Sequence, residues 1–393
     1  MVGRLTGALR AALRDPALRQ ALAIVLGLRA VLGLIAWASI ILYPITGVGG
    51  DHLELLTPQS SRLWPWVGPW QRWDALWYEH IARSGYGHGA ADAAFFPLFP
   101  GLVHVLTPLT GGNPALTALL LSTAALLGAL VVLHRLVAAD LDRGTADRSM
   151  LYLALSPVAF FLLAGFTESL FLLLATGCLL AARRRRLLLA GVLAGLAALC
   201  RSTGVLLVAP LFVEIVIEAR GRRREGRFPL RPAHLSLLLP VLAIAGWDLW
   251  IRVHLGVPGG VLALQREVWG NHAVAPWTAL HDSLRTVLDG GHPEEVINLC
   301  ASIALVISIP LMWGRLPAAQ VAYAAASILP IVCRESLVTP QESSARYLLT
   351  VFPVFVLLAL AGRRDWVDRL VLVSFPVLLG ALVAHFTHFA FLG

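Results

Sequence analysis

Long apolar runs recur through this 393-residue chain and restrict its fold more than any other feature. Ala21 to Tyr43, Leu116 to Val137 and Leu370 to Phe391 each approach the roughly 20 residues that a helix needs to cross a bilayer. In addition, 58% of the residues are hydrophobic and 14% are charged, which leaves too little polar surface for a water-soluble domain. We therefore predict an integral membrane protein.

The basic residues predict the orientation of these runs. All 31 are arginines, a usage typical of GC-rich bacteria, and many lie in short turns such as 183–186 and 220–231. Positive charge is enriched in cytoplasmic loops, so we place these turns in the cytoplasm. The amino terminus, with Arg4 and Arg10, is placed there too, because the first run is too long for a cleaved signal peptide. The net charge of +8 thus indicates orientation and not nucleic-acid binding.

These features predict one all-α domain, residues 1–393, built as a bundle of about eleven spans. Some segments are shorter than a full span, which predicts tilted, broken or re-entrant helices. The predicted segments are Ala21 to Tyr43, Leu116 to Val137, Met150 to Leu163, Phe166 to Ala182, Leu187 to Cys200, Gly204 to Ile217, Leu235 to Val253, Val296 to Trp313, Ala318 to Val332, Leu348 to Ala361 and Leu370 to Phe391.

A large first outer loop, residues 44–113, separates the first two long spans. Its tryptophans suit the headgroup level of a membrane, where amphipathic rings settle. We predict a short interfacial helix at Trp73 to Ala82 and a second helix or hairpin at Phe95 to Leu109. The stretch Gln71 to Pro100 is polar and aromatic in an otherwise apolar chain, so we predict a functional site there.

Four ionisable residues are predicted to converge on the outer face: Asp74, Glu168, Arg201 and Arg346. Inserting such a group at membrane depth costs on the order of 3 kcal/mol of free energy, so each is expected to have a structural or functional role. A carboxylate can take the proton from an attacking hydroxyl. Arginine offers planar, paired hydrogen bonds to a leaving phosphate. The set therefore suits group transfer from a lipid phosphate.

Three stretches resemble the PIG-V family, the GPI mannosyltransferase 2 group with its bacterial homologues. They are WDALWYEHIARSGY with AAFFPLFP in the first loop, Ser156 to Arg186 with RSTG at 201–204, and Ser343 to Ala359. The resemblance implies a GT-C glycosyltransferase of many spans. It also implies transfer of mannose from a polyprenyl-phosphate-linked donor to a lipid or glycan acceptor on the extracytoplasmic face of a bacterial plasma membrane, with inversion.

The resemblance also implies roles for individual residues. Asp74 would be the general base, Glu168 would shape a substrate pocket, and Arg346 would hold the donor phosphate. Ala345 stands where a proline often precedes that arginine, so the local backbone is expected to differ from the family's. The further substrate-binding candidates are Trp73, Tyr78, His80, Tyr86, Arg201 and Tyr347.

Each of the four ionisable residues also has a purely structural interpretation. Asp74 and Glu168 could each favour a helix amino terminus, where the helix dipole attracts negative charge. Arg346 could extend to the interface, as long cationic side chains do. Arg201 could pair with an acid across the bundle.

Two other functions stay open. A GT-C enzyme could move a different sugar or modify a protein, because spacing does not reveal the sugar. A transporter or lipid flippase could also use broken helices and buried charges, but it should show two related halves, and no repeat is seen.

No cofactor is expected beyond the lipid-phosphate donor, which is a co-substrate. One acid in the first-loop motif, rather than a pair, argues against a divalent metal ion. Cys178, Cys200, Cys300 and Cys333 lack metal-binding spacing and are expected to be small buried hydrophobes. The expected partners are the donor, the acceptor and membrane lipids.

Overall fold

A computed structural model describes residues 15–43, 45, 47–87, 90–290, 292 and 294–390. These residues are almost entirely helical, which confirms the predicted all-α class. The first α-helices are α1 Pro16–Leu42, α2 Trp64–Val67, α3 Asp74–Ser84, α4 Leu98–Leu106, α5 Pro114–Asp140, α6 Arg143–Leu155, α7 Glu168–Arg183, α8 Leu187–Cys200 and α9 Val208–Arg224. They continue with α10 Leu239–His254, α11 Gly260–Glu267, α12 Pro276–Leu288, α13 Glu295–Met312, α14 Ala318–Val332, α15 Ser344–Leu348, α16 Pro353–Ala361 and α17 Asp365–Thr387.

Short 3-10 turns connect several of these helices. They span Leu53–Leu55, Gly68–Trp70, Ala90–Ala94, Thr107–Thr110, Ala159–Leu162, Ser202–Leu207 and Pro232–Leu238. Two strands of two residues each, β1 His272–Ala273 and β2 Arg334–Glu335, pair antiparallel with His272 opposite Glu335. This small ladder was not predicted. It ties the loop after α11 to the segment after α14.

Six helical segments are long and apolar enough to cross a membrane, counted over the described residues. They are Pro16–Leu42, Pro114–Asp140, Ser202–Arg224, Pro232–His254, Glu295–Met312 and Asp365–Thr387. Shorter apolar helices include Leu187–Cys200 and Ala318–Val332, whose bounds agree with the predicted ones. The integral membrane class is therefore confirmed, whereas the count of about eleven spans stays a prediction.

Local sequence explains where the long helices begin. Asp15 precedes Pro16, and its carboxylate accepts from the Ala17 amide at 3.0 Å, which caps α1. Asn113 caps α5 in the same way through the Leu116 amide at 2.9 Å. A polar cap satisfies an otherwise unpaired amide, and a proline in the first turn loses no helical hydrogen bond.

Prolines also explain two differences from the predicted segments. Met150 to Leu163 was predicted as one helix, but α6 ends at Leu155, just before Ser156 and Pro157. A proline disfavours helical geometry in the residue before it and removes a backbone donor. Pro353 likewise begins α16, where a start at Leu348 was predicted.

The turn after α8 is made possible by Gly204. A Cβ at this position would lie 2.2 Å from the carbonyl carbon of Ala197, which no larger residue could tolerate. The chain therefore folds tightly back on α8 through the 3-10 turn Ser202–Leu207. This leaves Arg201 in extended conformation between the two elements, with its side chain directed to the bundle interior, where it meets Glu168.

Candidate active site

A cavity of about 240 Å³ opens where α3, α8, α14 and α15 meet. Among its lining residues are five predicted ones: Asp74, Tyr78, Arg201, Arg346 and Tyr347. The wall is partly aromatic, with Phe95, Phe96 and Trp269 contributing. A cavity of this kind, mostly apolar with a few convergent polar groups, is typical of ligand sites.

A chain of ion pairs supports one wall of the cavity, with Asp74, Arg201 and Arg346 at its surface and Glu168 fully buried. Arg346 contacts Asp74 Oδ2 through Nη1 at 2.7 Å and Glu168 Oε1 through Nε at 2.6 Å. Arg201 Nη1 reaches the same Glu168 oxygen at 2.5 Å and the Thr167 hydroxyl at 2.9 Å. The structure thus brings together the four ionisable residues singled out in the sequence, while their chemical roles stay predictions.

Burial makes these charges interdependent. Glu168 is fully buried and Arg346 is 5% exposed, with its guanidinium 4.6 Å from the ring of Phe166. A buried charge must be paired, because removing it from water costs several kcal/mol. The dipole interpretation of Glu168 is therefore insufficient, since this carboxylate also holds two guanidinium groups. The snorkelling interpretation of Arg346 is wrong, because its side chain points into the protein.

The backbone before Asp74 is held in an unusual conformation. Trp73 has a φ of 51°, uncommon for a residue with a side chain, and Asp74 is the first residue of α3. Arg72 stabilises this entry by donating to the Thr387 carbonyl at 2.7 and 3.0 Å and to the Gly68 carbonyl at 2.8 Å. The carboxylate of Asp74 is thereby placed at the cavity with no hydrogen bond to Oδ1 from any described residue.

Tyr78 and Tyr347 complete the predicted part of the lining. Tyr78 lies one turn after Asp74 in α3, so both side chains lie on one face. Burial and the nearby charge of Asp74 raise the pKa of Tyr78, which keeps its phenol protonated. The ring of Tyr347 contacts two cations, Arg201 at 5.2 Å and Arg334 at 4.9 Å.

Three predicted substrate-binding residues of the first-loop motif do not line the cavity, and neither does the fully buried Glu168. Trp73 packs beside Gly49 and Gly50 and makes an edge contact with Phe389. His80 is stacked on His52, and Tyr86 donates to the Phe95 carbonyl at 2.9 Å. The motif that contains them forms the helix carrying Asp74, and its aromatic residues mainly support that helix.

Sequence reasoning missed lining residues from two other loops. Arg334 donates to Asn271 Oδ1 at 2.7 Å and to the Glu342 carbonyl, and both partners also line the cavity. Burial raises the pKa of Glu342, against the opposing effects of Ser336 and Arg334. Nothing in the sequence marked Arg334, Asn271 and Glu342 as neighbours, because it is the β1–β2 ladder that brings their two segments together.

Metal-ligating side chains are grouped elsewhere. Among the residues the structure describes, one set of three is found, His52, Glu54 and His80, and none of the three lines the cavity. The four cysteines are free, and Cys178 and Cys200 are buried as expected. Cys300 is exposed on a predicted span, where bilayer lipid would cover it.

The sequence of this chain is similar to known mannosyltransferases over the region that contains most of the ion-pair network. Residues 61–218, which contain Asp74, Glu168 and Arg201, match the family described as mannosyltransferase (PIG-V). Over 152 residues the chain is 34% identical to GPI alpha-1,6-mannosyltransferase 2 of Rattus norvegicus. That match covers 36% of this chain and 31% of the rat protein, so the chain spans about a third of its curated relative.

The fold also has solved counterparts. ArnT from Cupriavidus metallidurans, solved bound to undecaprenyl phosphate, superposes with a TM-score of 0.51 at 13% identity, covering 90% of this chain and 63% of ArnT. An oligosaccharyltransferase from Archaeoglobus fulgidus superposes with a TM-score of 0.45 at 15% identity, covering 94% of this chain and 56% of that protein. The likeness to ArnT confirms the predicted GT-C-like architecture.

Proposed function

We propose that this chain, which carries the mannosyltransferase (PIG-V) family region at residues 61–218, transfers a mannosyl residue from a polyprenyl-phosphate donor to a lipid or glycan acceptor. The observation that carries this proposal is the network in which Asp74, Arg201 and Arg346 line the cavity and the buried Glu168 contacts both guanidinium groups. It sets a carboxylate oxygen with no hydrogen-bond partner among the described residues beside guanidinium groups. Those are the two groups that transfer from a phosphate requires.

The proposed reaction is a single displacement with inversion. The acceptor hydroxyl attacks the anomeric carbon of the sugar while Asp74 Oδ1 takes its proton, and the carbon–oxygen bond to phosphate breaks. The bonding pair leaves with the phosphate, which changes from a diester to a monoester and gains one negative charge. The proton on Asp74 then returns to solvent.

Charge balance indicates where this new negative charge is stabilised. Asp74 and Glu168 carry two negative charges and Arg201 and Arg346 carry two positive ones, so the network is neutral. Arg334 adds a cation that, among the described residues, forms no ion pair within 4 Å. Burial raises the pKa of the neighbouring Glu342. We therefore assign Arg334, beside Arg346, to the donor phosphate.

The membrane location of the protein supports a donor that carries a prenyl chain. ArnT, which shares the fold, was solved with undecaprenyl phosphate. In this chain an exposed apolar surface surrounds the spans, and bilayer lipid would cover it. We propose that the prenyl chain stays in the bilayer while its phosphate reaches the cavity.

The charges at the two ends of α7 support an extracytoplasmic site. Glu168 begins this helix at the cavity, and Arg183 ends it, followed by three more arginines. Arginine-rich turns favour the cytoplasm, so the cavity end is assigned to the extracytoplasmic face. The amino terminus is then cytoplasmic, and residues 44–113 form the extracytoplasmic loop of a single domain, 1–393.

A transfer assay tests the proposal directly. Purified protein is reconstituted with polyprenyl-phosphate [¹⁴C]mannose and a lipid extract from a strain lacking the gene. We expect labelled glycolipid together with stoichiometric release of polyprenyl phosphate. An intact donor, or label that enters the vesicle lumen without chemical change, would overturn the proposal, and the second result would favour a transporter.

Two comparisons define the substrates. Polyprenyl-phosphate glucose, assayed in parallel, separates a mannosyltransferase from a GT-C enzyme that moves another sugar. Mass spectrometry of glycolipids and surface glycans from a deletion strain and its parent then identifies the acceptor class. A product that is missing in the deletion strain and restored by the gene is the expected result.

A further inference from the structure

A compact group of nitrogen and oxygen ligands lies in the first loop, outside the cavity. His52, Glu54 and His80 place one ligand atom each within 4.8 Å of one another. Nδ1 of His52 is 3.3 Å from Glu54 Oε1, and the rings of His52 and His80 are stacked with centroids 3.9 Å apart. This group takes no part in the transfer proposed above.

Packing alone does not account for His52. Its backbone is in the left-handed region, with a φ of 59°, at the residue that precedes the turn Leu53–Leu55. Its Nε2 is buried and has no hydrogen-bond partner among the described residues. An unpaired buried nitrogen costs roughly 1 to 3 kcal/mol, so a ligand for this ring would recover that loss.

The donor set points to one class of ion. Two imidazoles and one carboxylate suit Zn²⁺ and related transition metals, whereas Mg²⁺ and Ca²⁺ prefer oxygen ligands. We propose that His52, Glu54 and His80 form a binding site for a divalent transition-metal ion such as Zn²⁺. The sequence argued against a divalent ion because the first-loop motif holds one acid rather than a pair, whereas these three ligands come from two separate elements.

The arrangement can close on an ion with small movements. Bonds of about 2.1 Å in a tetrahedral site imply ligand atoms roughly 3.4 Å apart, closer than the present upper limit of 4.8 Å. One of the two stacked imidazoles must also turn, because parallel rings present their nitrogens side by side. Glu54, whose side chain is 69% exposed, is free to follow.

Asp92 has the position of a supporting carboxylate. Its Oδ1 is 3.8 Å from Nε2 of His80, and its side chain is buried. Metal-bound histidines commonly present their second nitrogen to a carboxylate, which fixes the ring orientation. Asp92 is therefore assigned to the outer shell of the site, holding the His80 ring.

The ion would link two elements that already contact each other. Gln71 accepts from the Thr57 amide at 2.8 Å and donates to the Leu55 carbonyl at 3.1 Å, which joins the Leu53–Leu55 turn to the chain before α3. A metal bridge from His52 and Glu54 to His80 would add a second connection, to α3 itself. Because α3 begins with Asp74, the metal would stabilise the helix that carries the proposed base.

Metal binding is tested on the intact protein in detergent, without any transfer assay. After EDTA treatment and its removal, ZnCl₂ is titrated by calorimetry and thermal unfolding is followed in parallel. We expect one Zn²⁺ per chain and a higher Tm with Zn²⁺, and neither effect with MgCl₂. Asp92→Asn should weaken binding by about tenfold or more.

Matched variants decide the result. His52→Ala with His80→Ala should lose the Zn²⁺ heat and the Tm increase, whereas His281→Ala, at an exposed histidine beside Asp282, should retain both. Unchanged Tm of the double variant in EDTA shows that it folds. Absence of stoichiometric binding in wild type, or wild-type binding by the double variant, would overturn the site. Neither outcome bears on sugar transfer.

Discussion

The two ends of α7 carry opposite charges in opposite surroundings. At its start, Glu168 is fully buried and holds both Arg201 and Arg346. At its end, the side chain of Arg183 is 46% exposed and pairs with Asp140 at 2.7 Å. Both ends show short ion pairs. At the start every partner is enclosed by protein, whereas at the end the Asp140 side chain is buried and only Arg183 is reached by solvent.

This difference shows why distance alone does not identify a functional charge. An exposed pair is screened by water and contributes roughly 0 to 1 kcal/mol. A buried network must satisfy every charge, because loss of one partner leaves another uncompensated. The buried end therefore constrains sequence and geometry together, as a preorganised site requires.

The largest effect is expected from Glu168→Gln. The amide keeps the shape but removes the negative charge from between two buried guanidinium groups, so we expect destabilisation of about 3 to 5 kcal/mol and loss of transfer. Thermal unfolding in detergent measures the first effect. A variant as stable as wild type would show that this network does not depend on the carboxylate.

A second buried carboxylate sharpens the comparison because, among the described residues, no guanidinium forms an ion pair with it within 4 Å. Glu79 accepts from the Gln71 amide at 2.9 Å, and burial raises its pKa to about 8, above its usual value. The folded state then holds a proton that the unfolded state has lost, so the free energy of unfolding falls as pH rises from about 4.5 through 8. The interval from 4.5 to about 8 corresponds to a loss of about 5 kcal/mol.

Glu79→Gln should remove this pH dependence, because the amide stays neutral. The variant should match wild type near pH 5 and exceed it in Tm near pH 9, which pH-dependent thermal unfolding measures. Glu225→Gln, whose parent side chain is 60% exposed, serves as the control and should leave the pH profile unchanged. Parallel profiles for wild type and Glu79→Gln would contradict the pKa shift.

A smaller effect is expected from Arg334→Gln, at the cavity cation without an ion pair. Hydrogen bonds to a charged partner contribute about 1.5 to 3 kcal/mol, so the donor Kd should rise by roughly 10- to 100-fold. Folding should be nearly unaffected, since no buried carboxylate loses its partner. Equal loss in Arg334→Lys would indicate that planar, paired hydrogen bonding matters more than charge.

The smallest effect is expected at the other end of α7. Arg183→Gln breaks a pair whose arginine is half-exposed, and the buried Asp140 keeps the Gln320 amide as a partner, so the cost should stay well below that of Glu168→Gln. Thermal unfolding compared with Glu168→Gln measures the contrast along one helix. Similar losses in the two variants would remove the distinction between the buried and exposed ends.

The sequence predicted the parts of this molecule that depend on local chemistry. Apolar length indicated the membrane class, and the helix bounds of Leu187–Cys200 followed from apolar residues between charged ones. Asp74, Glu168, Arg201 and Arg346 could be selected because ionisable groups are expensive in a membrane and therefore stand out. The structure joins these four residues in one ion-pair network beside the cavity, as expected for costly charges that must be paired.

What the sequence could not reveal depends on contacts between distant segments. Arg334 is one of many loop arginines until β2 pairs with β1 and brings it to the cavity. His80 and Trp73 lie in the motif beside Asp74, yet their side chains pack away from the cavity. Spacing along α3 gives the face of each residue but does not show which face the rest of the bundle covers.

Asp74→Asn gives the most direct test of the central claim that this carboxylate accepts the proton of the acceptor hydroxyl. With purified protein in liposomes and the lipid-linked donor supplied, we expect transfer to fall by about 10²- to 10⁴-fold, because an amide cannot take a proton. Gel filtration and donor binding should show a folded protein that still binds the donor. Turnover near the wild-type rate in that folded variant would contradict the account.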